Sequence, residues 1–226
     1  MDSAESLNRY RIDLFEESLD QGDSPRVRFW ISSSESTGAV FQLIGGDSRQ
    51  SQVFTRISDR LEAYCRHREV QEDRTFPLFY DPTQTISGNF VQNLIRMSHE
   101  ELNTHNQAVP IHQRIFGSVV SFHIFKGLVS VAQVGNLEVL DHRSGQSYKK
   151  GTDFTDLGHR VMGLDQVLLP IEAIGLGSEP PRQMGEEFRL VQSGDSISVL
   201  HCRNGVPNKL DFESYLEKPF LSITYI

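Results

Sequence analysis

Several residue groups in this 226-residue chain carry side chains able to do chemistry. Asp153, Asp156 and His159 cluster in one short stretch, a carboxylate and imidazole set of the kind that binds a divalent cation. The same spacing suits caps of a helix or loop, and capping is the expected role of both aspartates. His201 and Cys202 place an imidazole beside a thiol, but no neighbouring feature lowers the thiol pKa or supplies an oxyanion hole, so no nucleophile is expected there. His123 lies inside an apolar run and reads as a satisfied strand histidine before it reads as half of a metal pair with His201. Glu35, Asp47, Asp13 and Glu16 are scattered carboxylates expected to stay solvated. Ser193-Gly194-Asp195 and Gly175-Leu176-Gly177 lack the spacing of phosphate-cradling loops and read as turns. None of these groups alone specifies a reaction.

The elements that must position such residues are strongly patterned in the middle of the chain. Residues 115–125 and 128–134 are β-branched and aromatic runs separated by Lys126-Gly127, which predicts two strands and a tight turn. A third strand at 137–141, followed by a turn at 143–146, completes an expected antiparallel meander. Strands are also expected at 27–31, 187–192, 196–202 and 220–226, while 39–44 reads as a strand or a helix start. Residues 52–67 place Val53, Ile57, Leu61 and Tyr64 on one helical face behind Ser51 as N-cap. Residues 88–106 do the same with Phe90, Leu94, Met97 and Leu102, with Ser87 ahead of the helix. The stretch 71–85 reads as a loop. Two groups of strands with two long helices between them point to an α+β sandwich of antiparallel sheets.

Composition narrows the functional classes. Hydrophobic residues make up 38% of the chain and charged residues 23%, as in a globular protein, and the length suits a single domain over residues 1–226. The formal net charge is −8, with much of the excess in residues 1–23, expected to be a flexible acidic segment. That balance excludes a nucleic-acid backbone as the main partner, because such binding needs a basic surface. No apolar run is long enough to cross a bilayer and Met1-Asp2-Ser3-Ala4-Glu5 does not open a secretory leader, so no membrane partner is expected. Cys65 and Cys202 form no Cys-x-x-Cys pair, which argues against a disulfide framework or cysteine zinc site and favours a cytoplasmic protein.

A family resemblance emerges from the order of the central elements. A long helix is followed by Phe116-Gly117-Ser118-Val119-Val120, the Lys126-Gly127 hairpin, and Val129-Ser130-Val131-Ala132-Gln133-Val134-Gly135-Asn136. This resembles the centre of the metal-dependent type 2C protein phosphatases, where a Gly-Ser/Thr strand and a turn precede a strand ending Val-Gly-Asp-Ser. Further on, Ile171-Glu172-Ala173-Ile174-Gly175-Leu176-Gly177, then residues 188–205 ending His201-Cys202-Arg203-Asn204-Gly205, are similar to the bacterial branch of that family. There an Ala-Leu-Gly segment is followed by an apolar strand ending Cys-Ser-Asp-Gly. The final residues 220–226 are similar to its closing Asp-Asn-Ile/Val-Thr strand. The resemblance implies a four-layer α/β/β/α sandwich with helices on both outer faces.

The family hydrolyses phosphoserine and phosphothreonine with two divalent ions, and such hard cations need carboxylate oxygens. At the places the resemblance assigns to those carboxylates, this chain carries other residues. Asp-Gly-x-Gly-Gly is expected after Phe29-Trp30-Ile31, which puts Ser33 near the bridging aspartate. Asn204 replaces the aspartate of Ser-Asp-Gly, beside Arg203, and Leu221 replaces that of the closing strand. A register with Ser193-Gly194-Asp195 on Ser-Asp-Gly leaves Asp195 one place late and also breaks the motif. The resemblance with these departures implies a pseudophosphatase: no catalytic residues, no metal and no cofactor. Its expected work is binding a protein, with a kinase or a phosphoprotein as candidates and Arg203 as a phosphate or partner contact. The competing readings are an active phosphatase with a non-standard metal site and an unrelated β-rich structural or interaction protein. Oligomeric state is left open.

Overall fold

The computed structural model describes residues 9–15, 26–46, 48–70, 80–135, 137–143, 146–150, 160–162, 167–169, 173–177, 179–180, 186–190, 192–201 and 220–226. The strands among them are β1 (Tyr10–Leu14), β2 (Arg26–Ile31), β3 (Thr37–Ile44), β4 (Phe116–Phe125), β5 (Leu128–Val134) and β6 (Leu137–Arg143). They continue with β7 (Gln146–Lys150), β8 (Arg160–Met162), β9 (Val167–Leu169), β10 (Glu186–Phe188), β11 (Ser196–His201) and β12 (Leu221–Tyr225). The long helices are α1 (Gln50–Val70) and α2 (Ile86–Gln107).

Ten of these strands form two five-stranded antiparallel sheets, in the orders β1-β12-β11-β6-β7 and β10-β5-β4-β3-β2; β8 and β9 pair as a separate hairpin. Strand alternation decides what each sheet buries, since successive side chains point to opposite faces. From β3, β4 and β5, Val40, Val120, Phe122, Ile124, Val129 and Val131 point at the other sheet, where Leu137, Val139, Ile197, Val199, Leu221 and Ile223 meet them in one apolar layer. The intervening residues Ala39, Phe41, Leu43, Val119, Ala132 and Val134 point the opposite way, onto Val53, Ile57 and Leu61 of α1 and Leu94, Ile95 and Leu102 of α2. Each fully buried Val, Leu, Ile or Phe contributes about 1.5–3 kcal/mol from water exclusion, so both layers are needed to offset the entropy of ordering the chain. All eight apolar positions that give the two helices their expected stripes are buried.

The two-sheet α+β sandwich is therefore present, with a helical layer over the sheet that holds β3, β4 and β5. The helical layer expected over the other sheet lies outside the described residues. Three local expectations change. The meander breaks after β5: β4 and β5 pair with each other, but β6 pairs with β11 and β7 in the opposite sheet. Gly135, at φ +88, makes the crossing at a conformation a residue with a Cβ rarely adopts. The acidic N-terminal segment contains β1, which pairs along its length with β12. And the helix caps shift. Thr85, not Ser87, caps α2, its hydroxyl accepting the Gly88 N–H at 2.9 Å. Ser51 lies inside α1, where its hydroxyl accepts from Arg28 at 3.1 Å.

Candidate functional site at one end of the sandwich

Strand register collects six strand ends at one end of the molecule. Ile44 pairs with Phe116, and Val119 with Val134, which brings the end of β3 beside the start of β4 and the end of β5. In the other sheet Leu137 pairs with His201 and Leu221 with Val199, so the start of β6, the end of β11 and the start of β12 meet at the same end. The described side chains on the inward faces here are apolar or neutral. Gln42, opposite Ser118, is buried along with it, and Gly135 packs so closely on Ser118 that an added Cβ would lie 2.7 Å from the Ser118 Cβ.

Leu221 lies at this end, and its surroundings explain its type. It is fully buried, paired with Leu14 on one side and Val199 on the other. Arg203 and Asn204 lie outside the described residues, as do Asp47, Asn136, Asp153, Asp156, His159, Glu16 and Cys202.

Ser33 lies elsewhere. It sits in the hairpin turn between β2 and β3, closed by Ser32 N–H to Thr37 O and Glu35 N–H to Ser32 O, both at 2.9 Å. That turn adjoins the pair Ile31 and Gly38, at the far end of the sheet from Ile44. Ser33 and Leu221 are thus not brought together. What Ser33 does touch is α1: its hydroxyl donates to Glu62 Oε1 at 2.6 Å and its N–H to Glu62 Oε2 at 3.3 Å. The Ser33 hydroxyl, helped by the Arg66 guanidinium 3.2 Å away, holds the Glu62 carboxyl below the usual carboxylate range.

The place where a strand hands over to the first long helix is instead Ile44-Gly45-Gly46. Both glycines have positive φ, +85 and +58. A Cβ on Gly45 would strike the Arg114 carbonyl, and one on Gly46 would lie 3.0 Å from the Gln113 carbonyl oxygen. Gln50, at the start of α1 and buried, donates to the Gly45 carbonyl at 2.6 Å, and the Gly46 carbonyl accepts from Arg49 and Gln50 N–H. The two glycines between an apolar strand and an amphipathic helix were the sequence signal for this turn.

The remaining candidates have structural roles where they are described. His123 is buried, points to the helical side, accepts or donates at 3.1 Å with Ser87, and packs on Phe90 with ring centroids 4.6 Å apart. His201 closes β11 in the other sheet, and its side chain lies outside the described residues. Asp195 caps its turn, Oδ2 accepting the Gln192 N–H at 3.0 Å. Asp13 is ion-paired with Arg11 at 2.8 Å, and Glu35 is exposed at φ +56 in its turn. Among the described residues no group of three or more His, Cys, Asp or Glu is placed to hold a metal ion. The described side chains at the β3–α1 end do not fit a pair of hard cations, since they offer hydrocarbon, an amide and a hydroxyl where carboxylates are required.

No protein-family model matches the chain, and no curated protein sequence matches it. Solved structures do match. PppA, a key regulatory component of T6SS in Pseudomonas aeruginosa, superimposes with a TM-score of 0.58 at 13% identity over 84% of this chain and 75% of that one. The serine/threonine phosphatase Stp1 from Staphylococcus aureus gives 0.53 at 12% identity over 84% and 74%. The catalytic domain of the serine/threonine phosphatase PstP, in complex with two manganese ions, gives 0.51 at 12% identity over 84% and 76%. Among the described residues no helix is long and apolar enough to cross a membrane.

Proposed function

We propose that this chain, which has the fold of the type 2C serine/threonine phosphatases, works by binding a protein partner and has lost metal-dependent phosphoester hydrolysis. The observation that carries this reading is Leu221: a fully buried leucine, held between two strands, at the position the resemblance gives to a metal-binding aspartate. Ile44-Gly45-Gly46 is the better place for the first phosphatase motif than Ser32–Gly38, because it joins a strand to the long helix and lies at the same end as Leu221. In that register the inward position one step back along β3 is Gln42, and again no carboxylate stands there.

A regulatory role is in keeping with PppA, a key regulatory component of T6SS. The partner would be a protein, with a kinase or phosphoprotein as candidates, and Arg203, next to Asn204, is the residue to engage a phosphoryl oxygen. Cys65 is buried, and a cytoplasmic location is proposed from the cysteine usage of the sequence.

The test is direct. The purified chain should release no phosphate from a phosphoserine peptide or p-nitrophenyl phosphate when manganese or magnesium is added. Its melting temperature should not rise with either metal, because an ion that binds only the folded state must stabilise it. Metal-dependent turnover would overturn the reading.

A further inference from the structure

A short strap, residues 173–177, crosses the start of β4 and lies against α2. Ile174 pairs with Gly117 through two backbone bonds, N–H to O at 2.9 Å and 3.1 Å in the two directions. Both polar groups of the next peptide are held by α2 side chains. The Gly175 carbonyl accepts from Asn106 Nδ2 at 3.0 Å, and the Gly175 N–H donates to His99 Nδ1 at 3.2 Å. Gly175 has φ +81, and an added Cβ would lie 2.8 Å from the Ile115 carbonyl and 3.0 Å from Leu102 Cβ, so the strap fits closely against the helix. Gly117 pairs with Leu43, which places the strap beside the β3–α1 end of the sandwich.

We propose that His99 is an acid-sensitive latch: its unprotonated Nδ1 holds strap 173–177 on α2, and a proton from solvent on that nitrogen releases the strap. The bond to Gly175 requires an Nδ1 lone pair, so the neutral ring carries its hydrogen on Nε2, which is buried with no hydrogen-bond partner among the described residues. Protonation at Nδ1 sets an N–H against an N–H, and the Gly175 amide loses its acceptor. Asn106 does not titrate and remains on the carbonyl, so the release acts on one side of one peptide.

Burial, first, pushes the His99 pKa down; Glu100 opposes this and Arg96 adds to it. The strap carries no charged side chain, nor do β5 or residues 115–118. On α1, Arg56 and Arg60 are engaged by Glu101 and Glu100. For a histidine depressed in the fold, the stabilisation from the neutral ring is complete above the ordinary histidine pKa and is lost as pH falls below it.

The experiment is hydrogen exchange on the full chain across that range, corrected for the intrinsic pH dependence of exchange. The strap amides should lose about tenfold or more of their protection between about pH 7.5 and pH 5, while β4 keeps its protection. In His99→Asn, whose Oδ1 stands at the place of Nδ1 and accepts the same bond without titrating, strap protection should stay level. Unchanged protection in the wild type, or the same loss in H99N, overturns the latch. If H99N does not fold, the wild-type ring decides: nitrogen chemical shifts must show a bare Nδ1 at neutral pH that gains its proton in step with strap exposure, and a protonated Nδ1 at neutral pH overturns the proposal.

Discussion

Leu221 and Ser33 show how differently two substituted positions behave once they are placed in space. At Leu221 an aspartate would enter a fully buried apolar layer with no donor among the described neighbours. Leu221→Asp should cost at least about 3 kcal/mol of stability at pH 7, read by urea unfolding. The introduced carboxyl would have a raised pKa in the fold, so the cost should shrink as the pH is lowered through that pKa and the neutral acid forms. Ser33 is exposed, and its partner is Glu62. Ser33→Ala should cost only about 0.5–1 kcal/mol, as for a solvent-accessible hydrogen bond. Because the bond lowers the Glu62 pKa, that cost should be present in full above the ordinary glutamate pKa and fade as pH falls through the lowered one, which unfolding curves at neutral and acid pH would reveal.

Among the elements, α2 is the one that ties separate parts of the chain together. Asn106 Nδ2 donates to both the Ile115 and Gly175 carbonyls, and its Oδ1 accepts the Ile115 N–H at 2.8 Å. Asn106→Ala would strand three buried backbone groups, and a loss of about 2–4 kcal/mol is expected in chemical unfolding. No pattern in the sequence announces such a clamp, since it joins residues from separate segments. Periodicity did make much else readable: the stripe Val53, Ile57, Leu61 and Tyr64 marked α1, and the run ending at Phe125 marked β4. It could not say that β6 leaves the sheet of β5, because alternation assigns faces and not partners, and Leu137 and Val139 alternate equally well in either sheet. The same limit applies to the first phosphatase motif. Both β2 and β3 are followed by small polar or glycine residues, so a motif expected after a strand had two places to fall; only the pairing of Ile44 with Phe116, and the helix that follows Gly46, separates them.

At the scale of the whole molecule, one sheet serves two interiors, facing α1 and α2 on one side and the second sheet on the other. Leu221, Leu137 and Phe220 are buried in the layer between the sheets. The single tryptophan of the chain, Trp30, is buried in the other layer, beneath α1 and α2. Its fluorescence is therefore a gauge of one interior alone: an optical melt would follow the helices lifting from their sheet, and a rearrangement confined between the sheets, such as partner capture at the Leu221 end, would pass it by in silence.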